Sequence, residues 1–239
     1  MKIISLFFGL TVSAFATAAV PLFNGHDLSG WVQRGGEATY HVDGGEIVGT
    51  SRLHTPNSFL CTERDYSDFI LEYEFKVDPR LNSGVQLRSE YFDTPTTFDW
   101  RGESIAIAAG RVHGYQVEID PSGRAWSGGI FDEGRRKWMY PEFAGGEGKS
   151  FTATGASVFK SNAWNHVRVE AQGSSLKTWL NGVPRADIVD DVTPRGFIAL
   201  QVHTILDDVS KAGTQVRWRN LQITELDPPT VAERSLNIL

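Results

Sequence analysis

Two short stretches carry the residues best placed to do chemistry. Gly114-Tyr115-Gln116-Val117-Glu118-Ile119-Asp120 alternates polar and apolar side chains, as does Gly84-Val85-Gln86-Leu87-Arg88 upstream. Strict alternation marks a strand with one dry face and one wet face. It sends Tyr115, Val117, Ile119, Val85 and Leu87 to a core, and Gln116, Glu118, Asp120, Gln86 and Arg88 to the opposite face. If the two strands share a sheet, carboxylates, amides and a guanidinium stand together. Carboxylates move protons, guanidinium groups hold negative charge, and amides both donate to and accept from hydroxyls. The bland alternative is a cross-strand Arg88–Glu118 ion pair on a solvated sheet, worth little and needing no function. Asp120 precedes Pro121, a strand-to-turn position where its side chain could simply cap the turn. Gln201 and His203 add a further amide and an imidazole at the end of the apolar run Gly196–His203. Glu74 also projects from a polar face, on a sheet that periodicity does not identify. His113 and His166 read as ordinary surface or loop histidines.

The elements that must position these groups are strands. Phe69–Val77 is the cleanest alternating run, with Leu71, Tyr73, Phe75 and Val77 facing a core. Tyr40–Val48 reads as a hairpin turning on Asp43-Gly44. Trp164–Ala171, Leu176–Leu180, a hairpin from Asn181-Gly182 into Val183, and Gln215–Leu226 continue the pattern. No convincing amphipathic helix appears. Many short strands separated by turn signals predict an all-β, two-sheet antiparallel β-sandwich or jelly roll. Two long connections interrupt it, Ser89–Val112 and Pro121–Asn162. The second is rich in aromatics, including Trp126, Phe131, Trp138, Tyr140 and Phe143. On loops above a polar sheet these suit stacking on sugar faces, and equally suit packing the loops down. Its charged run, Asp132–Lys137, reads as a solvated loop.

Composition narrows the class. The chain has 239 residues, a formal charge of −6 and one cysteine. Residues 1–19 read as a secretory signal peptide: Lys2, an apolar run from Ile3, and Ala16-Thr17-Ala18 as a cleavage site. The run is too short to span a bilayer comfortably. Export to a periplasmic or extracellular space follows as the expectation, with residues 20–239 as one domain. Cys61 can form no intrachain disulfide and reads as a small buried hydrophobe. A mildly acidic chain without a Lys/Arg cluster argues against nucleic acid and membrane surfaces as partners.

The opening Leu22-Phe23-Asn24-Gly25-His26-Asp27-Leu28-Ser29-Gly30-Trp31 resembles that of the 3-keto-disaccharide hydrolase family. The likeness continues, in order, through Asn82–Arg88, Gly114–Asp120, Trp164-Asn165, Trp179-Leu180-Asn181-Gly182, Gly196–His203 and Arg217–Leu221. It covers nearly all of the chain after the signal. What it implies is a concanavalin-like sandwich with a concave substrate face, acting on glycosides already oxidised at C3. The chain departs from many relatives, which carry Glu at the position of Gln116 and Gln at that of Glu118.

A 3-keto group acidifies the C2 proton, so the C1 substituent can leave by elimination and water can add afterwards. On that chemistry Glu118 is the candidate base, Arg88 the candidate partner of the enolate, and His203 the candidate acid or second donor. Gln86, Gln116, Asp120, Gln201, Trp126 and Tyr140 are the candidate substrate-binding residues. No spacing resembles a zinc motif, no metal ligand set is assigned, and a divalent cation such as calcium is left open. The expected partner is a carbohydrate, and the expected assembly a monomer or dimer. Two other readings fit the same residues: a non-catalytic lectin-like carbohydrate-binding module, and an ordinary two-carboxylate glycosidase.

Overall fold

Strand alternation over Phe69–Val77 is realised residue by residue. In the computed structural model, which describes residues 18–226, Phe69, Leu71, Tyr73, Phe75 and Val77 are buried and the residues between them half-buried. The expected signal peptide falls almost wholly outside the described residues. In chain order the strands are β1 (Val20–Pro21), β2 (Trp31–Gly35), β3 (Thr39–Asp43), β4 (Glu46–Thr50), β5 (Ser58–Tyr66), β6 (Phe69–Val77), β7 (Ser83–Glu90), β8 (Thr96–Trp100) and β9 (Glu103–Ile107). There follow β10 (His113–Ile119), β11 (Ile130–Glu133), β12 (Lys137–Tyr140), β13 (Asn165–Gln172), β14 (Ser175–Leu180), β15 (Val183–Val189), β16 (Gly196–Val202) and β17 (Gln215–Glu225).

All but β8 and β9, which pair with each other alone, form two large antiparallel sheets, as the alternation predicts. One runs β15-β14-β13-β6-β17-β4-β3, with β1 added beside β17; the other runs β12-β11-β10-β7-β16-β5-β2. Between them lies one continuous core, in which Leu71, Tyr73, Phe75 and Trp218 of the first sheet belong to the same cluster as Val85, Tyr115, Val117 and Leu200 of the second. Burying each such side chain contributes on the order of 2 kcal/mol. Cys61 is buried, as expected, in a smaller cluster with Phe59, Val112, Phe197 and Ala199. Among the described residues no helix is long and apolar enough to cross a membrane.

Three local expectations are corrected. The long Ser89–Val112 connection contains the hairpin β8–β9, whose pairing runs from Thr96↔Ile107 to Trp100↔Glu103. The charged run Asp132–Lys137 is largely buried rather than solvated. Arg135 and Arg136 clamp the two Asp132 oxygens at 2.9 and 2.5 Å, and Arg136 reaches Asp190 at 2.7 Å. Both guanidinium groups also lie over the rings of Phe98 and Tyr115. Charges in the interior persist only when paired in this way. Finally, α1 (Gly148–Val158) is a helix the sequence hides, because it buries only Phe151 and Gly155. Glu147 caps it, accepting from Lys149 N at 2.9 Å and Ser150 N at 2.8 Å. A Cβ at Gly155 would lie 1.9 Å from Ala125 O, so the helix presses directly on the loop after β10.

Candidate active site

Strands β10, β7 and β16 lie side by side at the middle of the second sheet, and their register builds the site. Gln116 pairs with Gln86, and Glu118 with Gly84. On the far side of β7, Gly84 pairs with Gln201 and Gln86 with Ala199. The period of two therefore brings Gln86, Gln116, Glu118 and Gln201 to one face, as the sequence predicts. A chain of hydrogen bonds runs along it. Ser89 Oγ donates to Gln86 at 2.8 Å, Gln86 Nε2 to Gln116 at 2.6 Å, and Gln116 Nε2 to Glu118 Oε2 at 2.9 Å. Asn82 Nδ2 donates to the other oxygen, Oε1, at 2.6 Å. Gly84 leaves the space for this: a Cβ there would sit 2.4 Å from Gln116 Cδ.

Glu118 is 4% exposed and stands in the wall of a cleft of about 390 Å³. Burial pushes its carboxyl up to about 7, against the hydrogen bonds from Asn82 and Gln116; the Asp120 charge adds to the rise and Arg124 opposes it. Two residues on, burial also works against ionisation of Asp120, but hydrogen bonds from Ser122 and Arg124 outweigh it, and that carboxyl lies below its ordinary value. One strand thus presents a carboxyl poised to exchange a proton near neutrality beside one that stays ionised. Both Asp120 oxygens are occupied: Oδ1 accepts from Ser122 N at 3.1 Å, and Oδ2 from Arg124 Nε at 2.7 Å.

Arg124 is the cation of this cleft. Its guanidinium is 3.6 Å from Glu118 Oε1 and lies 4.5 Å from the ring centre of Trp138. Helix α1 fixes its loop, since Thr152 Oγ1 donates to Arg124 O at 2.9 Å and accepts from Trp126 Nε1 at 2.9 Å. Sequence reasoning missed Arg124 because it lies on a loop, where periodicity is silent. Its position four residues after Asp120, among aromatics, was the available signal. Asn82, Phe131, Glu133 and Trp138 also line the cleft. Asn82 stands just before β7, and the two aromatics belong to the aromatic connection after β10.

Arg88 is not in the site. A bulge gives it a φ of 44° and breaks the alternation, so its side chain leaves the polar face. It is fully buried, donating to Ser67 O at 2.5 Å, Gly173 O at 2.7 Å and Asp68 at 3.0 Å. Arg88 is a structural staple between two turns, and the expected Arg88–Glu118 pairing does not form. His203 does line the cleft. Its Nδ1 lies 2.7 Å from Thr204 O, a carbonyl that only accepts, so Nδ1 bears a hydrogen and Nε2 is the ring nitrogen left to face the cleft. Gln201 lies in the row beside Glu118, buried, with both side-chain polar atoms unpaired. Trp126 packs edge-on against Trp138 at 4.6 Å and is not an open platform. Tyr140 packs on Phe151 at 5.6 Å, away from the cleft. For both, loop packing is the correct reading; Trp138 and Phe131 supply the cleft's aromatic wall.

Glu74 belongs to the other sheet, paired with Arg219 at 2.8 Å. His113 is buried rather than exposed, with Nδ1 3.0 Å from Arg111 O. Among the described residues no group of three or more His, Cys, Asp or Glu side chains is arranged to hold a metal ion. In the cleft, Arg124 already occupies the place between Glu118 and Asp120 where a cation would be drawn.

The same architecture occurs in solved structures of low identity. A protein of unknown function with a galectin-like fold from Bacillus subtilis is similar over 89% of this chain and 97% of its own, at 12% identity and a TM-score of 0.58. A protein provisionally named a glycosyl hydrolase, from Parabacteroides distasonis ATCC 8503, is similar over 87% and 94%, at 17% identity and a TM-score of 0.53. The carbohydrate-binding module CBM66 from Bacillus subtilis is similar over 80% and 93%, at 18% identity and a TM-score of 0.50. At such identities the likeness establishes the sandwich fold. No curated protein matches the chain. Residues 18–224 match the 3-keto-alpha-glucoside-1,2-lyase-like domain, and the chain belongs to that family.

Proposed function

We propose that this protein cleaves the glycosidic bond of 3-keto-glycosides by acid–base chemistry, with Glu118 as the base. The observation that carries the reading is a buried carboxyl held at about 7, hydrogen-bonded on both oxygens and faced by a cation. A base with that value is substantially ionised at neutral pH and still basic enough to take the activated C2 proton. Arg124, in place of Arg88, receives the negative charge that develops on the C3 oxygen. Asp120 keeps Arg124 oriented. His203 Nε2 and the Gln116 amide at the cleft wall are the groups within reach of the sugar hydroxyls. Loss of the C1 substituent leaves an unsaturated keto sugar, and addition of water completes net hydrolysis. Export of the chain, expected from residues 1–19, belongs to the same proposal.

A lectin-like role is the second reading, favoured by the likeness to CBM66. It leaves the perturbed Glu118 without a purpose. An ordinary two-carboxylate glycosidase, with Glu118 as acid and Asp120 as its ionised partner, is separated from the proposal by turnover of the unoxidised sugar. The test is turnover of a glucoside and its 3-keto counterpart by wild type and Glu118→Gln. Cleavage of the keto sugar alone, abolished by the substitution, supports the proposal. Equal cleavage of the plain glucoside refutes keto-dependence, and binding without turnover leaves the lectin-like role.

A further inference from the structure

Beside the cleft lies a second, larger hollow of about 670 Å³, lined by Phe59, Pro56, Val112, Leu206 and the turn Ala109–Arg111. Its interior is carbon-rich. Polar groups gather at the rim, where the exposed His54 and Asp207 pair at 2.8 Å. Glu133 is common to the walls of both spaces. His203 of the cleft continues directly into Thr204 of the hollow. Beneath them, the sheet row Glu118–Gly84–Gln201–Phe59 runs from one to the other. In the middle of that row sits the Gln201 amide, buried and unpaired. An unsatisfied buried amide costs about 1–3 kcal/mol.

We infer that the second hollow receives the leaving group of the substrate, an apolar ring such as a phenol, and that Glu133 at the border protonates the departing glycosidic oxygen. The inference rests on the cleft being the keto-sugar site. In the step, Glu118 takes the C2 proton and the freed electron pair becomes the C1–C2 double bond. The C1–O bond breaks, and its oxygen takes the proton of Glu133. The products are the unsaturated keto sugar and the free alcohol. Glu118 is left protonated and Glu133 ionised, and solvent returns a proton from one to the other. Burial raises the Glu133 carboxyl above its ordinary value, against Arg111 at 3.2 Å.

The experiment compares methyl and 4-nitrophenyl 3-keto-glucosides as substrates for wild type, Glu133→Gln and Ala109→Trp. Ala109 is exposed, so a tryptophan there fills the hollow without entering the core. With Glu133→Gln, kcat on the methyl glycoside falls about 100-fold, whereas on the nitrophenyl glycoside, whose leaving oxygen needs no proton, it falls less than about tenfold. With Ala109→Trp, KM rises about tenfold or more for the nitrophenyl substrate, a change of about 1.4 kcal/mol, and stays put for the methyl one. Equal losses on both substrates in Glu133→Gln overturn the proton-donor assignment. An unchanged nitrophenyl KM in Ala109→Trp overturns the subsite. If wild type cleaves neither keto-glycoside, the proposed function itself fails and this inference falls with it.

Discussion

Glu118→Gln makes the placement of this carboxyl measurable apart from any activity. In the folded protein the group titrates near 7, and in the unfolded chain near its ordinary 4.5. Between those values the folded state binds more protons than the unfolded one. Its contribution to stability is therefore fully present below about pH 4.5 and is lost as pH rises through 7. The gap between 4.5 and about 7 amounts to roughly 3 kcal/mol. Glutamine does not titrate, so the difference in stability between wild type and variant should swing by roughly 3 kcal/mol between pH 4 and pH 8. For a domain of this size that is a change of roughly 10 °C in the Tm difference. The constant penalty of replacing a two-acceptor carboxylate by an amide facing the Gln116 and Asn82 donors cancels from the swing. Thermal melts of both proteins at half-unit pH steps read it directly. A Tm difference that does not change with pH would refute the raised carboxyl and remove the basis for Glu118 as base.

Three further outcomes follow from the same geometry. Arg124→Ala removes a charge that lowers the Glu118 carboxyl, so the rising limb of kcat/KM against pH should move to higher pH, and kcat should fall about tenfold or more. Gly84→Ala places a Cβ 2.4 Å from Gln116 Cδ; it should displace that amide and reduce turnover at least about tenfold while the protein still folds, checked by circular dichroism and steady-state kinetics. Arg88→Met breaks a buried pair with Asp68 and leaves the Ser67 and Gly173 carbonyls without their donor. It should lower stability by about 3 kcal/mol in denaturant titration and leave the pH–rate profile unchanged, the opposite of what an enolate-binding arginine would do.

Strand periodicity read out the two sheets and the common face of Gln86, Gln116, Glu118 and Gln201, because alternation and burial are the same fact in a half-buried sheet. It failed at Arg88 for a local reason: a bulge adds a residue without altering the pattern of polar and apolar letters. It failed at Asp132, Arg135 and Arg136 because charged residues pair in the interior only when distant parts of the chain, here Asp190 and the β8–β9 hairpin, close over them. Arg124 was hidden because its position depends on helix α1, whose two buried residues leave almost no amphipathic trace. The aromatic loop was recognised as a unit, but which of its rings turn inward is decided by contacts such as Trp126 with Thr152, which no spacing encodes.

The sheet order also fixes when this molecule can exist. Strand β16 lies at the centre of one sheet, between β7 and β5, and β17 at the centre of the other, between β6 and β4. Both come after every strand they separate in chain order. Until they arrive, each sheet is split into two halves with unpaired edges facing one another. A growing chain therefore cannot complete either layer early, and its closure requires contacts between residues well over a hundred positions apart, such as Gln201 with Gly84. Such topologies fold slowly and nearly all at once. Glu118 and its amides on β10 and β7 can pair before β16 arrives, whereas Gln201 and His203 join them only when β16 closes the sheet, so that one step completes both the layer and the site.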